Sequence, residues 1–332
     1  MSLDVVSFGE TMLRLSPPPG IRLDNATTLS VHVAGTETNT LCALAQLGLR
    51  TAWLSALPRT PIGRRIEGEL RRYDVQTDNI LWMNGSSRLG LFYAEEAPSP
   101  LGTQVHYDRA ASACATINPD ALDYSVVDTA RLLHLTGITP ALSEQARTVA
   151  MRLLKRALDH NVPISFDVNY RAKLWSPIEA AQGIEEYCQH ANILICTRAD
   201  AADLWHITGT AQDILEQIAN RFDHGQQAQA LAITLGSEGA AELRNGQFSS
   251  APALPTEGAF RFGSGDAFAA GYLYSYLEGE LYQELHESSG TTPLLFGNAL
   301  AALKRCIAGD IATISVQDVR TLLYNQSGLR FR

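Results

Sequence analysis

One alternation constrains this 332-residue chain more than any other feature. Short runs rich in β-branched and apolar residues recur along it: "DVVSF" (4–8), "TAWLSAL" (51–57), "RLLHLTG" (131–137), "VPISFDVN" (162–169), "NILICT" (192–197) and "ALAITLG" (230–236). Between them lie longer stretches, such as 143–160 and 213–222, where apolar residues return at helical spacing. Runs that are apolar on both faces need cover on both sides. The pattern therefore predicts βαβ units and a mostly parallel sheet covered by helices on each face.

Two regions break the rhythm. Residues 14–33 and about 80–115, including "SRLGLFYAEE" and "TQVHYDRAAS", alternate as strands do with no helix between them. They predict a small antiparallel sheet inserted into a single domain spanning 1–332. Open α/β sheets bind ligands beyond the carboxyl ends of their strands, and an insert placed there acts as a lid. The 26 Lys and Arg against 35 Asp and Glu leave a formal net charge of −9. That excludes the basic face a nucleic acid or an anionic membrane needs, yet a few arginines and backbone amides still bind phosphate locally. The five cysteines and eight histidines are scattered without zinc spacing, which reads as idle thiols in a reducing cytosol. "MSLDVVSFGE" lacks the features of a signal peptide, and no apolar run reaches the ~18 residues of a transmembrane helix. A cytoplasmic protein is expected.

Four stretches can carry chemistry. In "GAFRFGSGDAFAAGYL" (258–273), Gly263, Ser264 and Gly265 precede Asp266 at the mouth of an apolar helix. Free amides at a helix start attract an anion, and glycine lets it reach the backbone. An acid in the same turn suits a base acting on a hydroxyl beside that anion, although a plain capping turn uses the same residue types. The glycine spacing is not a dinucleotide fingerprint, and no Gly-Lys-Ser/Thr follows to make a Walker loop. "FDVNYRAKLW" (166–175) places Asp167, Asn169 and Arg171 after a buried strand, and Arg171 offers a fork for a carboxylate or phosphate. In "VHYDRAASA" (105–113), Tyr107 and Arg109 share one face of a strand. In "VAGTETNTLCALAQLG" (33–48), Gly35 and Asn39 flank a helix start. Taken alone, the last three also describe a polar loop, a surface pair and a capping box.

In this order, and with "FGETMLRLSP" (8–17) and "LTGITPALS" (135–143), the stretches resemble the ribokinase-like (pfkB-type) carbohydrate kinases, and among them the 2-keto-3-deoxygluconate kinases. The resemblance runs from Phe8 to about Gly309. It implies a three-layer α/β/α ribokinase-like fold with a β-sheet lid, which often makes a homodimer. It also implies ATP-dependent phosphorylation of a sugar hydroxyl with Mg2+. Carried over, Asp266 is the catalytic base, and Gly263, Ser264 and Gly265 supply the anion hole. Gly35, Asn39, Tyr107, Arg109, Asn169 and Arg171 hold the substrate, a 2-keto-3-deoxy sugar acid. Thr234, Gly236, Asn298 and Thr197 border ATP, and Asp200 reaches Mg2+ through water. A neutral sugar such as fructose is the alternative substrate, and a binding protein that has lost catalysis is the other reading.

The chain departs from the family at a few places. Phe260, Arg261 and Phe262 stand where many relatives carry Asp-Thr-Thr, part of a monovalent-cation site, and Arg261 is expected to replace the cation's charge. Thr197-x-x-Asp200 replaces Asn-x-x-Glu, Ala34 replaces a glycine and Phe92 a tyrosine. Losing one such contact shifts affinity by roughly 0.5–1.5 kcal/mol, enough to change the preferred sugar but not the reaction class.

Overall fold

The computed structural model describes residues 2–97, 100–222, 230–258 and 260–326. Among them the strands form two sheets. The larger has nine strands, in the order Gln247–Ala251, Ala240–Arg244, Ala230–Thr234, Ile193–Thr197, Ile164–Asp167, Leu132–Thr136, Val5–Phe8, Thr51–Pro58 and Ile80–Met83. Neighbours are parallel except around Ala240–Arg244, which is antiparallel to both of its partners. Asn245 and Gly246, both at positive φ, make the second of its two reversals.

Side chains alternate between two cores. Val5, Trp53, Leu132 and Ile193 face one, and Val6, Leu54, Leu133 and Leu194 face the other. This double burial is why the strand runs are mostly apolar on both faces, with Ser7, Ser55, His134 and Ser165 among the buried polar exceptions. Helices including Thr36–Gln46, Ser264–Tyr276 and Pro293–Arg305 cover the first core, while Glu144–Asp159, Pro177–His190 and Ala211–Arg221 cover the second. The layers are therefore α/β/α. Polar caps start the helices: Ser143 accepts from Ala146 N at 3.0 Å, and Ser176 and Glu179 close a capping box.

The second sheet has four strands, in the order Ser30–Ala34, Met12–Ser16, Leu91–Glu95 and Gln104–Asp108. Two expectations need correction here. Ile80–Met83 joins the edge of the large sheet, because "ILWM" is apolar on both faces: Ile80 and Trp82 pack on one core, Leu81 and Met83 on the other. The small sheet is also mixed rather than antiparallel, since Met12–Ser16 and Leu91–Glu95 pair in parallel. Each follows a strand of the parallel large sheet and leaves it in the same sense. Residues 98–99 of the expected insert lie outside the described residues.

Strand order reverses between Val5–Phe8 and Leu132–Thr136, the place where such sheets open a crevice at their carboxyl ends. The small sheet turns Met12, Ala34, Phe92 and Ala94 inward, with Val105 and Phe262 packed against them. The helix Ser264–Tyr276 is buried continuously from Asp266 to Ser275, so its first turn is pinned in place.

Candidate active site

Gly263 caps the Ser264–Tyr276 helix in the left-handed region, with φ 78°. A Cβ there would stand 1.9 Å from Asp310 O, so the turn admits only glycine. A Cβ on Gly265 would meet nothing within 4 Å. Glycine at 265 keeps the backbone approachable rather than making the turn possible. By helix geometry the amides of Gly265 and Asp266 have no acceptor within the helix. Two cavities meet at this turn. Gly263 and Asp266 line one of about 400 Å³ beneath the small sheet, and Ser264 and Gly265 line another of about 530 Å³.

Asp266 is 8% exposed. Asn39 Nδ2 donates to its Oδ2 at 2.7 Å, and Thr36 Oγ1 donates to its Oδ1. Asn39 thus lines the cavity and orients the acid at once. Asn169, expected against the substrate, stands one step behind and does not line the cavity. Its amide is committed to Thr36 Oγ1 at 3.0 Å and Asp167 Oδ2 at 3.1 Å. Burial pushes the pKa of Asp266 up, and the bonds from Thr36 and Asn39 hold it back. Two neighbouring acids are pushed up as well. Burial carries Glu37 to about 7, although the Thr136 and Thr139 hydroxyls donate to it at 2.7 and 2.6 Å. Burial, with the nearby Asp200 and Asp266, carries Asp167 to about 8.

The same cavity collects Gly35, Tyr107, Arg109, Arg171 and Lys173. Arg109 lies just past Gln104–Asp108, with its guanidinium carbon 5.4 Å from the Tyr107 ring centroid. Its Nε donates to Glu10 Oε2 at 2.7 Å, an ion pair buried on both sides. Glu10 Oε1 is buried with no hydrogen-bond partner among the described residues. Arg171 is exposed and, among the described residues, donates from Nη1 to Tyr170 O at 3.3 Å. Lys173 Nζ donates to Val105 O and sits 6.0 Å from the Tyr107 ring centroid. Phe92 packs 5.7 Å from that ring.

The second cavity gathers Thr234, Gly236 and Asn298 with Ser264 and Gly265. Asn298 Nδ2 donates to Ala251 O and Pro252 O at 3.2 and 2.9 Å. Thr197 lines an adjoining cavity of about 700 Å³, which shares Thr234 and Gly236. It forms the N-terminal capping box of Arg198–Trp205 with Asp200: Asp200 N donates to Thr197 Oγ1 at 2.9 Å, and Thr197 N to Asp200 Oδ2 at 3.0 Å. The described residues contain no group of three or more His, Cys, Asp or Glu able to hold a metal. A dedicated Mg2+ cage is therefore absent among them, and Asp200 lines neither of these two cavities. Arg261 also departs from expectation. It is exposed and lines the second cavity with Arg305, so its charge faces the space outside the acid-lined cavity. Arg14 is the cation that packs at the 260–262 segment, with its guanidinium carbon 4.7 Å from the Phe262 ring centroid.

A turn that joins two cavities, with a hydrogen-bonded acid on one side and helix amides on the other, suits transfer of an anionic group between two ligands. The family model for "pfkB family carbohydrate kinase" matches residues 2–316. This chain belongs to the pfkB family of carbohydrate kinases. The kinase is 36% identical over 323 residues to a 2-dehydro-3-deoxygalactonokinase of Haloferax volcanii, covering 97% of each chain. It is 29% identical to a 2-dehydro-3-deoxygluconokinase of Bacillus subtilis, over 94% of this chain and 92% of that one. The crystal structure of a 2-dehydro-3-deoxygluconokinase from Thermotoga maritima superposes with a TM-score of 0.87 at 30% identity, covering 97% and 98% of the two chains. Kinases of this family act on sugars and generally use ATP with Mg2+.

Sequence reasoning missed Thr36, Glu37, Glu10, Lys173 and Asp310 in the kinase's cavity. Thr36 and Glu37 read locally as a capping box, yet the cap is Gly35 with no side-chain bond. Lys173 had a signal, a second basic residue two positions after Arg171. Glu10 and Asp310 reach the cavity only through the fold.

Proposed function

We propose that this kinase transfers the terminal phosphoryl group of ATP to a terminal hydroxyl of a 2-keto-3-deoxy sugar acid. The observation that carries the reading is a single cavity lined both by buried Asp266 and by Arg171, Lys173, Tyr107 and Arg109. One set of groups matches a hydroxyl and the other a carboxylate with its keto neighbour. The names of the relatives from Haloferax volcanii, Bacillus subtilis and Thermotoga maritima support the same substrate class.

In this mechanism Arg171 takes the carboxylate in its guanidinium fork, and Tyr107 with Arg109 orients the keto end. Asp266, made more basic by burial, accepts the proton of the hydroxyl that attacks. Thr36 and Asn39 keep its two oxygens aimed during that step. The amides of Gly265 and Asp266 stabilise charge on the group in transit. Thr234, Gly236 and Asn298 border the nucleotide, and Arg261 and Arg305 flank its phosphates. ATP with Mg2+ supplies the phosphoryl group and neutralises its charge. The small sheet keeps water from the pair. Its exposed Val31, with Ile21 and Leu29 on the preceding segment, supports a homodimer formed through this sheet.

The test is ATP turnover over a panel of 2-keto-3-deoxy sugar acids and neutral hexoses. The expected kcat/KM for the best acid exceeds that for the best hexose by about 10–100-fold, the worth of one charge-assisted hydrogen bond. Because Glu10 already neutralises Arg109, a neutral sugar is the second reading. Equal or better turnover of a hexose would establish it and reject the acid.

A further inference from the structure

The residues around the 260–263 segment do not fit the monovalent-cation site that the family resemblance implies. Phe260 has no side-chain oxygen and is 37% exposed. Arg261 faces the nucleotide cavity. The backbone of this segment is docked on the 305–310 loop: Phe260 N donates to Arg305 O at 3.1 Å, and Gly263 lies against Asp310 O. Immediately before that loop, at the end of the Pro293–Arg305 helix, stands Lys304.

Lys304 is 0% exposed, one of the largest fully buried side chains in the molecule. Its Nζ reaches into the loop and donates to Ile307 O at 3.0 Å. Burying an ammonium is costly unless anions and carbonyls surround it. Asp310 lies in the same loop, bonded to buried Arg14 at 2.7 Å, and Glu96 bonds Arg14 from the other side at 2.7 Å. Burial and the nearby Arg14 guanidinium pull the Lys304 pKa down, while Asp310, Glu96 and Asp266 pull it back up. The catalytic acid therefore feels this ammonium, and the ammonium feels the acid.

We propose that Lys304 is a built-in cation: its tethered ammonium, held on Ile307 O in the loop that supports the Gly263 turn, supplies the fixed positive charge that a bound potassium ion would bring. The charge expected of Arg261 thus comes from the opposite side of the turn. Lys304 touches neither ligand cavity, so it acts by positioning the 305–310 loop and by its field on the turn. A tethered ammonium has no dissociation equilibrium, which makes the turn indifferent to the potassium level. The inference rests on the reading of 263–265 as the phosphoryl-transfer turn.

The experiment compares the intact chain with Lys304→Met, Lys304→Ala, Lys304→Arg and Arg261→Ala, in potassium chloride and in tetramethylammonium chloride at matched ionic strength. Melting temperature and phosphorylation rate are both read. The unsubstituted kinase is expected to melt and turn over identically in the two salts, and Arg261→Ala to keep that indifference. Lys304→Met is expected to lose at least about tenfold in kcat, less than the roughly 10²–10³-fold that follows removal of a donor in contact with the developing charge. Lys304→Arg is expected to retain most of the rate, and Lys304→Ala to gain a potassium-specific rise in both melting temperature and rate. Potassium-specific stabilisation or activation of the unsubstituted kinase overturns the proposal, and so does an unchanged kcat in Lys304→Met. If the Lys304 variants fail to fold, potassium-specific stabilisation or activation of the unsubstituted kinase still overturns the proposal. The melting arms need no sugar, so their outcome is independent of which sugar is the substrate.

Discussion

The two glycines that flank Ser264 should respond to the same substitution in opposite ways. Gly263→Ala places a methyl group 1.9 Å from Asp310 O at a residue whose φ is 78°. The left-handed backbone alone costs an alanine about 1–2 kcal/mol, and relieving the overlap by moving backbone costs about 1–3 kcal/mol more. Destabilisation of roughly 2–5 kcal/mol is expected. Gly265→Ala meets no neighbour within 4 Å and places alanine in a helical turn. It should leave stability unchanged or raise it by up to about 1 kcal/mol. Its methyl group instead stands in the second cavity, between the helix amides and any phosphate approaching them. A loss of about 10²-fold in kcat/KM for ATP follows if that approach is what the turn provides, while the KM for sugar holds. Urea midpoints and initial rates at varied ATP measure both effects. Equal destabilisation by the two alanines would refute the assignment of open space at 265. A stable Gly265→Ala enzyme with normal ATP kinetics would refute the turn as the phosphate site.

Arg171→Ala should raise the KM for a sugar acid about 10–100-fold and leave a neutral sugar's KM unchanged, as steady-state kinetics on both substrates will show. Asn169→Ala, which removes the donor behind Thr36, should lower kcat by about tenfold with little change in either KM. Glu37 carries a folded-state pKa of about 7 against an ordinary 4.5, so the folded chain binds the extra proton between those values. Its contribution therefore favours folding below about pH 4.5 and is lost as pH rises to about 7, at roughly 1.4 kcal/mol per pH unit. Glu37→Gln should remove that slope from urea melts taken between pH 5 and 7; an unaltered slope would place the proton elsewhere.

Local pattern carried most of the fold. The strand runs are mostly apolar on both faces because Val5 and Val6, or Leu132 and Leu133, enter different cores, a signature that needs no long-range knowledge. "ILWM" showed where the same logic was under-used: its double-sided apolarity marked a strand of the large sheet, not of the lid. In the site, Asp266, Tyr107, Arg109 and Arg171 were visible because their neighbours form distinctive turns and alternations. Asn169 looked like a ligand contact because sequence cannot tell a side chain that meets a ligand from one that braces Thr36. Thr197 and Asp200 looked like a metal and nucleotide pair, but their spacing is equally that of a capping box, and the helix uses it so. Glu10 and Asp310 were illegible, since partners 99 and 296 residues away bring them to the cavity. Arg261 misled for the opposite reason: adjacency in sequence to Phe262 does not place the two side chains in one cavity.

The central claim is that Asp266 removes the hydroxyl proton while the turn before it holds the phosphoryl group. Asp266→Asn keeps the size of the side chain and its place beside Thr36 and Asn39, but cannot take a proton. With ATP and the best sugar acid, kcat should fall by about 10²–10⁴-fold, while calorimetry shows the sugar acid still binding with its original affinity. An Asp266→Asn enzyme that turns over within about tenfold of the unsubstituted rate would contradict the account, because a general base contributes more than that.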